Sequence, residues 1–374
     1  MKKHSIQLSK AFVNREVRAA ACAAINSGRY ILGASCAGFE RRFSGYVNMS
    51  HGVLANSATS AMQLTLIALG IGPGDEVIVP SLTAFPTIEP ILHVGAVPVF
   101  ADVDDTATLD PVRIAERITR RTRAIMPVHL YGNPANMTEI ARLARTRRLT
   151  LLEDACQAHG AEYARKKCGS FGHAGFFSFY PSKNLTFLGD GGIMVTGDQE
   201  LALRVRMLRD HGRKAKYLHE FPGFNMRANE IQAAIGLVQL GHLDEFNNRR
   251  RHIAARYRAL LKDAPLVLPV EQPQGRHVYH MFVVRTPRRD DLARYLAAHG
   301  IETGVHYPVP CHKQPAMRNH PAARRWKSSR LPHTEACCRE VLSLPMHPFL
   351  TGPQISSITG RIRRFFASTP KNGR

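Results

Sequence analysis

Phe177-Ser178-Phe179-Tyr180-Pro181-Ser182-Lys183-Asn184, followed by Gly189-Asp190-Gly191-Gly192, is an apolar strand-like run that breaks at a proline and leaves one lysine before a glycine-rich turn. A lysine held between a hydroxyl-bearing segment and glycines can lose its proton and form a Schiff base with an aldehyde. Alone, Lys183 also reads as a solvent-facing loop lysine, the ordinary state of that residue. The segments around it decide.

Upstream, the first ~240 residues alternate apolar strand-like runs with amphipathic helical ones, the pattern of an α/β fold with a largely parallel sheet. Strands are predicted at Glu76–Pro80, Val97–Val103, Ala124–Leu130, Thr150–Glu153, Gly175–Phe179 and Gly192–Thr196, and helices at Ser60–Leu69 and Met137–Arg147. Gly72-Pro73-Gly74-Asp75 and Gly132-Asn133-Pro134 are turn signals between them. Downstream, one long charged helix is predicted over about 228–263. Short strands at Leu266–Val270, His280–Val284 and Glu302–His306, with a helix at Asp290–His299, then give an α+β texture. The expected division is a large α/β domain over 1–240 and a small C-terminal α+β domain over 241–374, bridged by the long helix.

Composition sets the class. The chain of 374 residues is long enough to bury a substantial core, and no run approaches the ~18 apolar residues of a membrane span. Met1-Lys2-Lys3-His4 leads into no apolar stretch, so no secretory signal is read and a cytoplasmic protein is expected. Seven scattered cysteines form no C-x-x-C pair, which indicates neither a metal site nor a disulfide framework, and assigns Cys156 to packing. The net charge of +22 reads as a solvated arginine-rich face or as a field attracting an anionic substrate such as a nucleotide diphosphate. Nucleic-acid binding ranks below both.

Leu151-Leu152-Glu153-Asp154-Ala155-Cys156-Gln157-Ala158-His159-Gly160 ends a strand with an acid, at the edge where open α/β sheets bind ligands. A carboxylate there can hold a protonated ring nitrogen through a charge-assisted hydrogen bond. By itself it reads equally as a helix cap or an ion-pair partner. Ala55-Asn56-Ser57-Ala58-Thr59-Ser60-Ala61-Met62 leads into a helix, whose free N–H groups and positive dipole end suit a phosphate. Its bland reading is an ordinary N-cap. Ser178 and Ser182 add hydroxyls near Lys183. An amine, a ring-nitrogen carboxylate and a phosphate cradle together match one cofactor, pyridoxal 5'-phosphate.

On these segments the chain resembles the DegT/DnrJ-type sugar aminotransferases, within the fold-type I (aspartate aminotransferase-like) pyridoxal-phosphate enzymes. Further stretches extend the likeness to nearly the whole chain: Gly33 and Phe39-Glu40, Gly72–Pro80, Pro127–Gly132, Gly223-Phe224-Asn225-Met226-Arg227, His306-Tyr307-Pro308 and Leu344-Pro345-Met346-His347. The resemblance implies that Lys183 is the Schiff-base lysine and Asp154 the partner of the pyridine nitrogen. Gln157 lies near the phenolic oxygen, while Thr59, Ser60 and Ser178 hold the phosphate, with Ala58 contributing backbone. Asn225 reaches the neighbouring subunit's cofactor, so a homodimer with shared active sites is implied. Arg227, His306 and Tyr307 lie toward the substrate. The implied reaction moves an amino group from L-glutamate to a keto sugar nucleotide, for surface polysaccharide or antibiotic biosynthesis.

Two positions depart from the family pattern. An aromatic residue usually follows the Thr of Pro80-Ser81-Leu82-Thr83 and stacks on the cofactor ring; here that position is Ala84 and Phe85 follows, so either Phe85 stacks through a shifted backbone or the ring is covered differently. The helix start carries Ala58 where glycine is usual and Ser60 where an acid is often found. The alternatives are a sugar dehydratase of the same fold, a cyclitol aminotransferase and a non-catalytic regulator. The dehydratases carry histidine at the Schiff-base position, so Lys183 favours amination.

Overall fold

Short runs rich in Val, Ile and Leu, buried on both faces, form the centre of the molecule. In the computed structural model, which describes residues 5–322, 326 and 330–368, they are β1 (His51–Ala55), β2 (Glu76–Pro80), β3 (Val97–Ala101), β4 (Thr122–Ile125), β5 (Thr150–Asp154), β6 (Ala174–Ser178) and β7 (Gly192–Thr196). They form one seven-stranded sheet in the order β1-β7-β6-β5-β4-β2-β3, in which β7 alone runs antiparallel to its neighbours. The largely parallel sheet expected from sequence is thus present. β4 stops earlier than predicted, and Pro127, which has no N–H to donate, stands just beyond it. The basic start Met1–His4 and the polar tail beyond Ser368 lie outside the described residues.

Helices α1 (Arg15–Asn26) and α2 (Ala34–Tyr46) pack on the long helix α8 (Glu230–Leu261), which is N-capped by Asn229 accepting from the Gln232 amide at 2.9 Å. The carboxylate of Glu230 in turn accepts from the amides of Gly33, Ser35 and Cys36 at 2.6–2.9 Å, where it meets the positive end of α2. Phe39, Phe43, Phe177, Phe179 and Phe187 interlock between α2, β6 and α8, with Phe179 stacked on Phe187 at 4.2 Å between centroids. This explains the phenylalanine-rich run before Lys183.

A separate apolar cluster gathers the C-terminal half of α8 (Ile253, Tyr257, Leu261) with β8 (Phe282–Arg285), β9 (Val341–Leu344), α9 (Arg289–Ala298) and α11 (Gly352–Ala367). The helix α10 (Pro332–Glu340) leads into β9. Of the three short strands predicted here, only the middle one forms, paired antiparallel with β9. Leu266–Val270 and Glu302–His306 are each reduced to a single bridge, Val267 to Arg285 and Gly304 to Ser343. Pro269 and Gly304 interrupt them. Cys311, Met317, Trp326 and Leu331 pack instead into the apolar cluster of the large sheet, and the Trp326 indole donates to the Pro98 carbonyl at 2.8 Å.

Candidate active site

β2, β4, β5 and β6 all end on one edge of the sheet, and their continuing segments enclose a cavity of about 190 Å3. That is below the roughly 300–1,000 Å3 of a drug-sized pocket, and suits one substituted ring rather than a dinucleotide. Asp154, Cys156 and Gln157 from the end of β5 line it, as do Thr83, Ala84, Pro86 and Thr87 beyond β2. Ser57, Ala58, Thr59 and Met62 line it from the start of α3 (Ala58–Ala68), and Ser178, Tyr180 and Lys183 from the β6–β7 connection.

Asp154 is 4% exposed. One carboxylate oxygen accepts from the Thr87 hydroxyl at 2.7 Å and the other from the Cys156 amide at 3.0 Å. Each oxygen keeps a lone pair for a further donor. Thr83 is hydrogen-bonded to Thr87 at 2.9 Å and extends the chain. A buried acid requires such partners; asking for them would have led from Asp154 to the two threonines, which the sequence reading missed.

Lys183 is half-buried, and its amine forms no ion pair or hydrogen bond among the described residues. Burial pushes its pKa below the ordinary lysine value, with the charges of Cys156 and Asp154 opposing. His159 is wholly buried against Phe177 and Phe179, and burial together with the Lys183 charge pushes it down to about 3, so it is a neutral imidazole. The lysine loop is tied down at Asn184, whose amide donates to Asn247 Oδ1 at 2.8 Å and to the Val278 carbonyl at 3.2 Å. Asn247, on α8, donates in turn to the His159 carbonyl at 2.8 Å.

At the start of α3, Ser57 rather than Ser60 is the N-cap, accepting from the Ser60 amide at 3.0 Å. The amides of Ala58 and Thr59 have no partner among the described residues and belong to the cavity wall. The Ser60 hydroxyl is 2.9 Å from that of Ser57 and does not line the cavity. Gly192 abuts this turn so closely that a Cβ there would lie 2.1 Å from the Ala58 nitrogen.

The other expected site residues divide between the cavity and its surroundings. Phe85 opens a single 3-10 turn (Phe85–Thr87) and packs against the apolar cluster of the large sheet, so Ala84 and Pro86 face the cavity in its place. Gln157 is buried, accepts from the Tyr131 amide at 2.7 Å and donates to the Tyr307 hydroxyl at 3.1 Å. Tyr307 therefore reaches the site through Gln157. His306 contacts Ser343 at 2.9 Å and lines a neighbouring cavity. Asn225 is exposed and accepts from Arg227, which is also paired with Asp210 at 3.2 Å; neither lines the cavity. All seven cysteines are unpaired, and Cys156 faces the cavity as well as packing beneath it.

The profile of the DegT/DnrJ/EryC1/StrS aminotransferase family matches residues 12–363. The chain belongs to this family. It is 46% identical over 352 residues, covering 94% of this chain and 92% of the other, to the dTDP-3-amino-3,4,6-trideoxy-alpha-D-glucose transaminase of Streptomyces venezuelae. It is 44% identical over 342 residues, 91% of each chain, to the UDP-N-acetyl-3-dehydro-alpha-D-glucosamine 3-aminotransferase of Acidithiobacillus ferrooxidans. The crystal structure of S. venezuelae DesV in complex with a ketimine intermediate superposes with a TM-score of 0.91 at 45% identity, over 95% of both chains. This DegT/DnrJ family member is therefore an aminotransferase on the fold of the pyridoxal-phosphate enzymes, as its sequence led one to expect.

Proposed function

We propose that the chain is a pyridoxal-phosphate-dependent aminotransferase that moves an amino group from L-glutamate to a keto sugar nucleotide. The observation that carries this reading is a single cavity containing an unpaired Lys183 amine, a buried Asp154 carboxylate and the free amides of Ala58 and Thr59. The donor set fits the cofactor: backbone N–H and hydroxyl donors for a phosphate, an acid for a ring nitrogen, and an amine for an aldehyde. When bound, pyridoxal phosphate supplies that aldehyde and a ring that delocalises negative charge from an adjoining carbon.

Ala58, Thr59 and Ser178 bind the phosphate, with Ser60 holding the Ser57 cap that shapes the turn. Asp154 keeps a proton on the ring nitrogen, aligned by Thr87 and the Cys156 amide. Gln157 positions the ring's phenolic oxygen. Lys183 would anchor the cofactor through its amine, and the same amine would serve as the base and acid that moves a proton at the donor's α-carbon and at the sugar carbon. Both relatives bear names that place nitrogen at carbon 3, on a dTDP sugar in one and a UDP sugar in the other. A 3-keto sugar nucleotide is accordingly the first acceptor to try. Exposed Tyr30, Tyr180, Leu188, Tyr217 and Asn225 support a homodimer in which Asn225 reaches the partner's cofactor. No described helix is long and apolar enough to cross a membrane, and we place the reaction in the cytoplasm.

The test is to load the purified protein with cofactor and add L-glutamate. The visible band is expected to convert, then to return with one member of a panel of 3-keto and 4-keto sugar nucleotides. No conversion with any amino donor overturns the reading.

Two further results are expected. Because burial lowers the Lys183 pKa, the amine is neutral at a lower pH than that of free lysine. Capture of pyridoxal phosphate by cofactor-free protein should then reach half its maximal rate below about pH 10.4, the ordinary lysine value. A midpoint at or above that value contradicts the burial argument. Gly192→Ala drives a methyl into the Ala58 nitrogen. We expect it to lower stability by about 1–3 kcal/mol and to weaken cofactor retention on dialysis; unchanged retention removes the start of α3 from phosphate binding.

A further inference from the structure

A second cavity, of about 60 Å3, lies beside the first, and the two divide adjacent residues between them. Lys183 lines the first and Ser182 the second; Tyr307 reaches the first through Gln157, while His306 lines the second. Its polar lining is Ser9, Ser182, His280 and His306, over an apolar wall that includes Leu344 and Met346. All four polar groups can donate a hydrogen bond, and no carboxylate lines the space.

His280 is 4% exposed, and neither of its ring nitrogens has a partner among the described residues. A buried polar group left so is costly and rare in a finished structure. Burial, and then the charges of Lys183, Arg250, His159 and His306, push His280 toward its neutral form. Arg250 is 3% exposed and has no carboxylate partner among the described residues; its Nη1 donates to the carbonyls of Tyr279, His280 and Met346 at 2.9–3.3 Å. A buried imidazole without a partner among the described residues and three further hydrogen-bond donors thus line a small space next to the Lys183 cavity. Its all-donor lining suits an acceptor such as a carboxylate group.

We propose that this cavity is the subsite for a carboxylate of the amino donor, with His280 and Ser182 donating to its oxygens. The proposal rests on the aminotransferase reading and adds to it how an amino acid is selected over a simple amine. It also gives His280, absent from the sequence reading, a binding role.

Calorimetric titration of the cofactor-loaded protein with glutarate, a dicarboxylate that has no amino group to transfer, tests it. His280→Leu and Ser182→Ala are each expected to raise the glutarate Kd about tenfold, the loss of one hydrogen bond to a charged group. Each should raise the KM for L-glutamate by a similar factor and that for the sugar substrate by less than about twofold. Ser182→Ala removes only a hydroxyl, so it reads out the subsite even if His280→Leu does not fold. Unchanged glutarate affinity in the folded variants, or equal rises in both KM values, overturns the subsite. Glutarate binding needs no turnover: binding that depends on His280 in a protein that converts no amino donor supports the subsite and overturns the function proposed above. Turnover of L-glutamate with unaltered glutarate binding in both variants overturns the subsite alone.

Discussion

Lys183→Ala should eliminate turnover, with a loss of at least about 10⁴-fold. Proton transfer by a positioned side chain supplies roughly 10²–10⁴-fold, and the alanine variant also loses the covalent anchor. The amine has no hydrogen bond or ion pair among the described residues to lose, so the fold should not suffer. Removing a half-buried, unpaired amine should if anything leave the melting temperature unchanged or slightly higher. The start of α3 and Asp154 are untouched, so the variant should still bind cofactor, without the absorbance that marks its attachment to lysine. Partial rescue of rate by a small exogenous amine would separate the proton-transfer role from the anchoring one. Turnover at the wild-type level would remove Lys183 from the chemistry.

Asp154→Asn should lower kcat about 10²–10³-fold, the size of effect found when a single group stabilising transition-state charge is removed. The substitution is close to neutral for the fold. The asparagine carbonyl can still accept from the Cys156 amide at the present 3.0 Å, and the Thr87 hydroxyl can turn to accept from the new NH₂ while donating to Thr83. What is lost is negative charge beside the ring nitrogen. A rate loss with an unchanged melting curve supports the electrostatic role. A collapse in stability with little change in the rate of the folded fraction would make Asp154 a structural acid.

Much of this was legible because chemistry and periodicity coincide. Strands buried on both faces read as unbroken apolar runs, so Glu76–Pro80 and Gly192–Thr196 were delimited to the residue. Asp154 and Lys183 stood out because each sits where an apolar run gives way to a loop. Thr87, Ser57 and His280 did not stand out, since their place depends on contacts across long separations, such as Thr87 to Asp154. Of the two ways of covering the ring that the sequence left open, the packing of Phe85 against the core, with Ala84 and Pro86 on the cavity, favours cover by other residues. The outer strands of the C-terminal part shrank to single bridges because Pro269 and Gly304 interrupt them, and local β character does not show that.

Asn247 has a consequence of its own. From one position on α8 it holds the residue after Lys183 and the carbonyl of His159, five residues beyond Asp154. The acid and the amine thus take their bearings from a common reference point on the helix that also enters the C-terminal cluster. A tilt of α8 during catalysis would carry both together as a pair and alter their distance from the substrate while preserving their distance from each other.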